Sequence, residues 1–195
     1  LAVAGPQDLD TLQDWVVGRF NRVENQNLKA IKLPEKFLSQ KDHFRLMRIK
    51  TVKDSRSLTL IFPLPATQKY YRSRPLNMLG FLVGHEGKGS LLSLLKEEGL
   101  ASGLSAGGGD STSSYTSFNI NIQLTPKGLK RYTKVIERTF QYLRLLREKS
   151  LPRYVYEEVR RMAEIDYRFA EKTGGTRLVN MLSLIHISEP TRPRL

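Results

Sequence analysis

Residues 118–124 alternate without a miss, with Phe118, Ile120, Ile122 and Leu124 in one set and Asn119, Asn121 and Gln123 in the other. Successive side chains leave a strand on opposite faces, so this segment predicts a strand with one face in a core and one in water. Thr125-Pro126 follows at once. That pair supplies a side-chain cap and then a residue whose fixed φ and missing N–H suit the first helical position. Leu129, Tyr132, Val135, Ile136, Phe140 and Leu143 then recur at helical spacing, which predicts one long amphipathic helix to about Lys149.

The rest of the chain repeats these two kinds of element. Leu1 to Gly5 reads as a short buried strand, and Pro6-Gln7-Asp8 as a turn and helix cap. Leu9, Leu12, Val16, Phe20 and Val23, with Trp15 beside them, mark the packed face of a helix over 8–24. Asn25 to His43 is polar and aperiodic, as a crossing linker must be to keep its backbone hydrated. Phe44, Leu46 and Ile49, then Leu58, Leu60 and Phe62, suggest two antiparallel strands around the turn at Lys53-Asp54-Ser55, with Pro63 and Pro65 breaking the second. Pro75 opens a helix that ends near Gly84, and Ser90 caps another that stops at Gly99. Residues 100–114 are rich in Gly and Ser and mix extended chain with a turn. Ser150-Leu151-Pro152 ends the long helix, another carries Val155, Val159, Met162, Ile165 and Phe169, and a last one starts near Thr176. The order ββααββαα predicts the α+β class, with helices layered on a largely antiparallel sheet.

Composition narrows function by exclusion. With no cysteine there are no disulfides, thiol nucleophiles or Cys-ligated zinc in these residues. No apolar run approaches the roughly 18 residues of a membrane span, and no charged leader with an apolar core is present. Leu1 stands where a natural start would carry Met, so the N-terminus reads as cut, and the compartment stays open between cytoplasm and periplasm. The charge of +13 can attract nucleic acid, anionic membrane or acidic peptides. Its Lys and Arg are interleaved with apolar helix positions and acids, which favours solvated helix faces over a nucleic-acid surface, and neither nucleic acid nor membrane is expected as a partner.

His85-Glu86, inside Gly84-His85-Glu86-Gly87-Lys88-Gly89-Ser90, is the most tempting chemistry. A zinc helix needs a second His one turn away, where Lys88 and Gly89 stand, and a phosphate loop needs Gly at position 82 and Ser or Thr at 89, where Leu and Gly stand. What survives is a glycine-hinged turn, either structural or a binding loop. His43 reads as a surface residue, and no Ser-His-Asp or paired-carboxylate set can be assembled. No catalytic or metal residue is assigned.

Gln68-Lys69-Tyr70-Tyr71-Arg72-Ser73-Arg74-Pro75-Leu76, then Leu82 to Leu92 around the glycine loop, then Asn119 to Leu129 and Phe140-Gln141-Tyr142-Leu143, resemble the insulinase-like (pitrilysin) family of zinc metallopeptidases. The resemblance implies a metallopeptidase-like αβ roll, one part of a four-domain clamshell. Residues 1–28 would end the catalytic domain, 29–43 would link, and 44–181 would form the second, non-catalytic domain. It also implies zinc in the parent enzyme, held by an upstream helix, with none bound here. Peptide substrates and the other domains of the same chain are the partners implied. Motif by motif, it places a substrate exosite at Gly84 and Glu86 in the loop and at Leu104, Ala106 and Gly108 in the following strand. Ala106 stands where close relatives carry Gly, and Gly108 where a larger polar residue can occur. A zinc-free scaffold subunit of the same fold is the alternative implied, and a basic nucleic-acid module is a third. Finally, Leu182 to Arg192 resembles the in-frame translation of a sequencing-library adapter rather than a genuine Pro-rich tail, so residues 182–195, His186 included, are expected to carry no function.

Overall fold

Strand β3 (Tyr115–Leu124) is the middle of a three-stranded antiparallel sheet, flanked by β1 (Ser57–Pro65) and β2 (Ala101–Ser111). This computed structural model describes residues 1–24, 26, 40–112, 114–149, 153–171 and 173–188. By contact the chain divides into two units, Leu1–Ile31 with Asp166–Leu195, and Lys32–Ile165.

The alternation in β3 sets the layer order of the second unit. Cross-strand partners put Leu58, Ile122 and Leu104 in one row, Leu60, Ile120 and Ala106 in the next, and Phe62, Phe118 and Gly108 in a third. These rows share one face, and Ile120 and Ile122 are fully buried there. Helices α2 (Pro75–Gly84), α3 (Leu91–Glu97) and α5 (Tyr132–Glu148) supply the other half of the core through Val83, Leu91, Leu92, Leu95 and Val135, each at 0% exposure. Each such aliphatic side chain contributes roughly 1.5–3 kcal/mol by leaving water, so this helix-on-sheet contact outweighs any single cap or ion pair. The fold is the α+β layer expected.

The backbone phase of the sheet follows from two hydrogen bonds. Leu124 N–H donates to Arg56 O at 2.8 Å on the β1 side, and Thr125 N–H donates to Leu100 O at 3.1 Å on the β2 side. In an antiparallel strand, N–H and C=O of one residue point the same way and successive residues point oppositely. Phe118, Ile120 and Ile122 therefore bond to β1, while Asn119, Asn121 and Gln123 bond to β2. On β1 the groups left facing outward belong to Ser57, Thr59, Ile61, Pro63 and Pro65. The prolines do not break this strand, as the sequence suggested. They sit where a missing N–H costs no ladder bond, on an edge.

Three further expectations are corrected. Residues 1–5 form no strand, and Leu1 and Val3 are exposed, because no described segment pairs with them. Residues 44–49 form none either. Met47 interrupts the alternation, Phe44 has a φ of 59°, and Phe44, Leu46, Met47 and Ile49 are all exposed. The helix after Thr125 is split at Arg131 into α4 (Pro126–Lys130) and α5, leaving Leu129 about half exposed at 48%. Its cause lies at Gly128, where a Cβ would overlap Leu100 O, so the first turn is pinned too close to the β2 entry to continue straight.

In the first unit, α1 (Leu9–Phe20) starts at Asp8, whose carboxylate accepts from Thr11 N–H at 2.8 Å, and it buries none of its residues. α6 (Arg153–Arg168) bridges the division in sequence and buries Val155, while Met162, Ile165 and Phe169 stay exposed. α7 (Gly175–Ser188) begins beside Ala4 and its backbone runs on through Leu182. The linker at 27–39 and the helix stop at 150–152 lie outside the described residues.

Candidate functional site: an open strand edge beside a glycine loop

Among the described residues, β2 pairs with β3 on one side only. Gly103, Ser105 and Gly107 take the bonds from β3, so Leu104, Ala106 and Gly108 turn their N–H and C=O groups to the free edge. α2 runs along that edge antiparallel to β2, with Leu76 against Gly108 and Gly80 against Ala106. At Gly80 the helix backbone is close, and a Cβ would stand 2.9 Å from Ala106 O. One turn on, at Gly84, the same construction leaves 3.5 Å to Ala106 N and 4.0 Å to its O. The space between helix and strand thus widens toward the end of α2, forming a groove of about 630 Å³.

Gly84, Glu86, Leu104, Ala106 and Gly108, the five residues singled out from sequence, all line this groove. They play unequal parts. Leu104 keeps its side chain in the core at 8% exposure and offers only backbone, while Gly108 is exposed and carries no side chain to obstruct the edge. The sequence reading missed Leu76, Gly80 and Phe81, which form the helical wall. Glycines at 80 and 84, one turn apart, were the available signal, since only a helix without Cβ atoms on that stripe lets another backbone approach.

The loop after Gly84 is built by its own residues. Gly89 takes a φ of +81°, and Ser90 then caps α3 by accepting Ser93 N–H at 3.1 Å. Among the described residues, Glu86 is the one carboxylate lining the groove, and its ion-pair partner there is Lys96, Nζ to Oε2 at 3.8 Å, with both side chains largely exposed. Such a pair is worth about 0–1 kcal/mol, so an incoming cation displaces Lys96 at little cost. Among the described residues no three of His, Asp or Glu gather closely enough to hold a metal ion, and no helix is long and apolar enough to cross a membrane.

Residues 1–162 match the family described as Peptidase M16 inactive domain. The chain is 35% identical to insulin-degrading enzyme of Drosophila melanogaster over 92% of its own length and 18% of that protein's. It is 33% identical to human nardilysin, over 92% of this chain and 16% of the other. Its fold is similar to crystalline pitrilysin, with a TM-score of 0.71 at 23% identity, covering 93% of this chain and 20% of that one. The chain therefore spans a fifth or less of each of these relatives.

Proposed function

Because the chain belongs to the peptidase M16 family, matching the part described as its inactive domain, we propose that it is a piece of a zinc metalloendopeptidase whose task is to anchor the N-terminal segment of a peptide substrate. One observation carries this reading: among the described residues, Leu104, Ala106 and Gly108, three alternate residues of β2, present backbone groups without a strand partner to a groove whose one carboxylate is Glu86. Strand addition on such an edge takes its affinity from main-chain hydrogen bonds and places little demand on sequence. A free α-amine at Glu86 adds charge where Lys96 is easily displaced.

The two sheet edges support the choice of β2. On β1, two of the outward-facing residues are Pro63 and Pro65, which deny a docking strand its donors, whereas β2 offers Gly, Ala and Leu with full N–H complements. Zinc in the parent would supply an activated water for amide hydrolysis. His43, His85 and the acids described here do not fit as its ligands, so that chemistry is assigned to another segment of the parent. Binding energy gained here, remote from the cleaved bond, would position the peptide for that step.

The test is fluorescence anisotropy of an extended peptide with a free N-terminus and a C-terminal dye, titrated with this chain. Acetylating the peptide, or Glu86→Gln, is expected to weaken binding about tenfold, equivalent to roughly 1.4 kcal/mol. N-methylating alternate peptide residues should abolish binding. Equal affinity for all these forms refutes strand addition. A folded chain that binds no peptide at all fits the scaffold alternative.

A further inference from the structure

His85 ends α2 and turns its ring back over its own loop. Nδ1 accepts the Gly87 N–H at 3.0 Å, and the ring stands edge-on to Phe81 with centroids 5.8 Å apart. A Cβ at position 87 would run into the imidazole, so glycine there is what lets the ring close over the backbone. A side-chain acceptor bonded to the N–H two residues on is the arrangement of an Asx turn, made here by an imidazole. Between His85 and Gly87 sits Glu86, a carboxylate of the groove lining.

Accepting at Nδ1 requires the neutral ring with its proton on Nε2, because an imidazolium has two donors and no acceptor. Resting on the reading of the groove as a peptide-binding edge, we propose that His85 is a positioning residue: its neutral ring latches the loop and holds Glu86 at the mouth of the groove, and a proton on Nδ1 releases both. Peptides are then held at neutral pH and let go in acid. The charged and titratable groups that face the ring from the elements around it are few. α2 presents the phenyl of Phe81, the loop carries Glu86 and Lys88, α3 contributes Lys96 through Glu86 at 3.8 Å, and residues 104–108 of β2 bring no titratable side chain.

Two readouts on this chain test the latch between pH 8 and pH 5, the interval over which imidazoles take up their proton. The first is the hydrogen-exchange protection factor of the Gly87 amide by NMR, recorded also in Glu86→Gln to take the neighbouring carboxylate out of the titration. The second is affinity for the free-amine peptide. In the native chain both should fall about two- to tenfold toward pH 5, the range set by one neutral hydrogen bond. His85→Asn, whose Oδ1 accepts the same N–H but takes no proton, should keep both high and flat. His85→Leu should hold both about two- to tenfold below the native level at pH 8, and flat across the interval. A His85→Asn profile that follows the native one, or a His85→Leu variant with native protection and affinity, overturns the latch. Gly87 responding as expected without peptide binding upholds the latch and overturns the peptide reading. Peptide binding with a flat Gly87 profile does the reverse.

Discussion

At Gly128 the clash that any side chain would meet is with backbone: Leu100 O, already accepting Thr125 N–H at 3.1 Å. No flexible neighbour can yield, so Gly128→Ala should cost about 2–3 kcal/mol, read as a lower denaturation midpoint at unchanged slope. Nearby, Glu98 closes α3 onto α5. Its Oε1 accepts from Arg138 Nε at 2.8 Å and pairs with Nη2 of the same guanidinium at 2.6 Å, Lys134 Nζ stands 3.4 Å from Oε2, and Lys127 donates to the Glu98 carbonyl at 2.7 Å. The Arg138 hydrogen bond, the largest effect, holds the Glu98 carboxyl below its ordinary value of 4.5 against burial, which comes second and opposes it, and the nearby Lys134 ammonium adds a weaker lowering. The folded carboxyl thus releases its proton more readily than the unfolded one. Its contribution is whole above the ordinary value and is lost as the pH falls through the lower, folded one. Melting temperatures of native chain and Glu98→Gln should therefore differ at pH 7 and converge in acid below about pH 4. A gap that persists at pH 2 would assign the effect to packing instead.

Elements whose signals are local were legible from sequence. Asp8, Ser90 and Thr125 cap their helices through N–H bonds of 2.8, 3.1 and 2.9 Å, and Gly99 takes the positive φ, 67°, that a helix stop favours. The alternation of β3 gave its buried face because one residue's direction fixes the next. What failed depends on distant partners. The apolar run at 44–49 looks like a strand but pairs with nothing described, and the split at Arg131 comes from a contact with Leu100, a neighbour no periodicity announces. Pro63 and Pro65 were read as breakers because their side of the ladder is set by Arg56 and Leu124, outside the local pattern. The five candidate groove residues owed their selection to resemblance; their common placement follows from register and backbone phase. The edge argument predicts that Pro63→Thr with Pro65→Thr leaves the β1–β3 ladder intact while restoring two outward donors. Self-association, followed by light scattering at rising concentration, should increase for the double variant. Unchanged behaviour would mean that β1 is protected by something other than its prolines.

Across the whole molecule, the described apolar surface is unusually open. Leu9, Trp15, Phe20, Met162, Ile165 and Phe169 all stand about half or more exposed, on helices whose spacing predicts a packed face. The chain spans less than a fifth of its relatives, and a core that is complete in the second unit coexists with helices that bury little. Periodicity reports that a face is apolar, never what covers it, so this was beyond the sequence. The proposed function divides catalysis from binding in the same way. Amide hydrolysis at useful rates needs an activated water or nucleophile and a group to stabilise the oxyanion, and no described cluster of three His, Asp or Glu is close enough to seat a metal. On the proposed assignment of roles, this chain is expected to bind the free-amine peptide without cleaving it. Mass spectrometry of the bound peptide after prolonged incubation, with and without added zinc, should return intact material at the rate of buffer alone. Zinc-dependent cleavage would place a catalytic centre within these residues and reverse the assignment of roles, whatever the affinity measured at the groove.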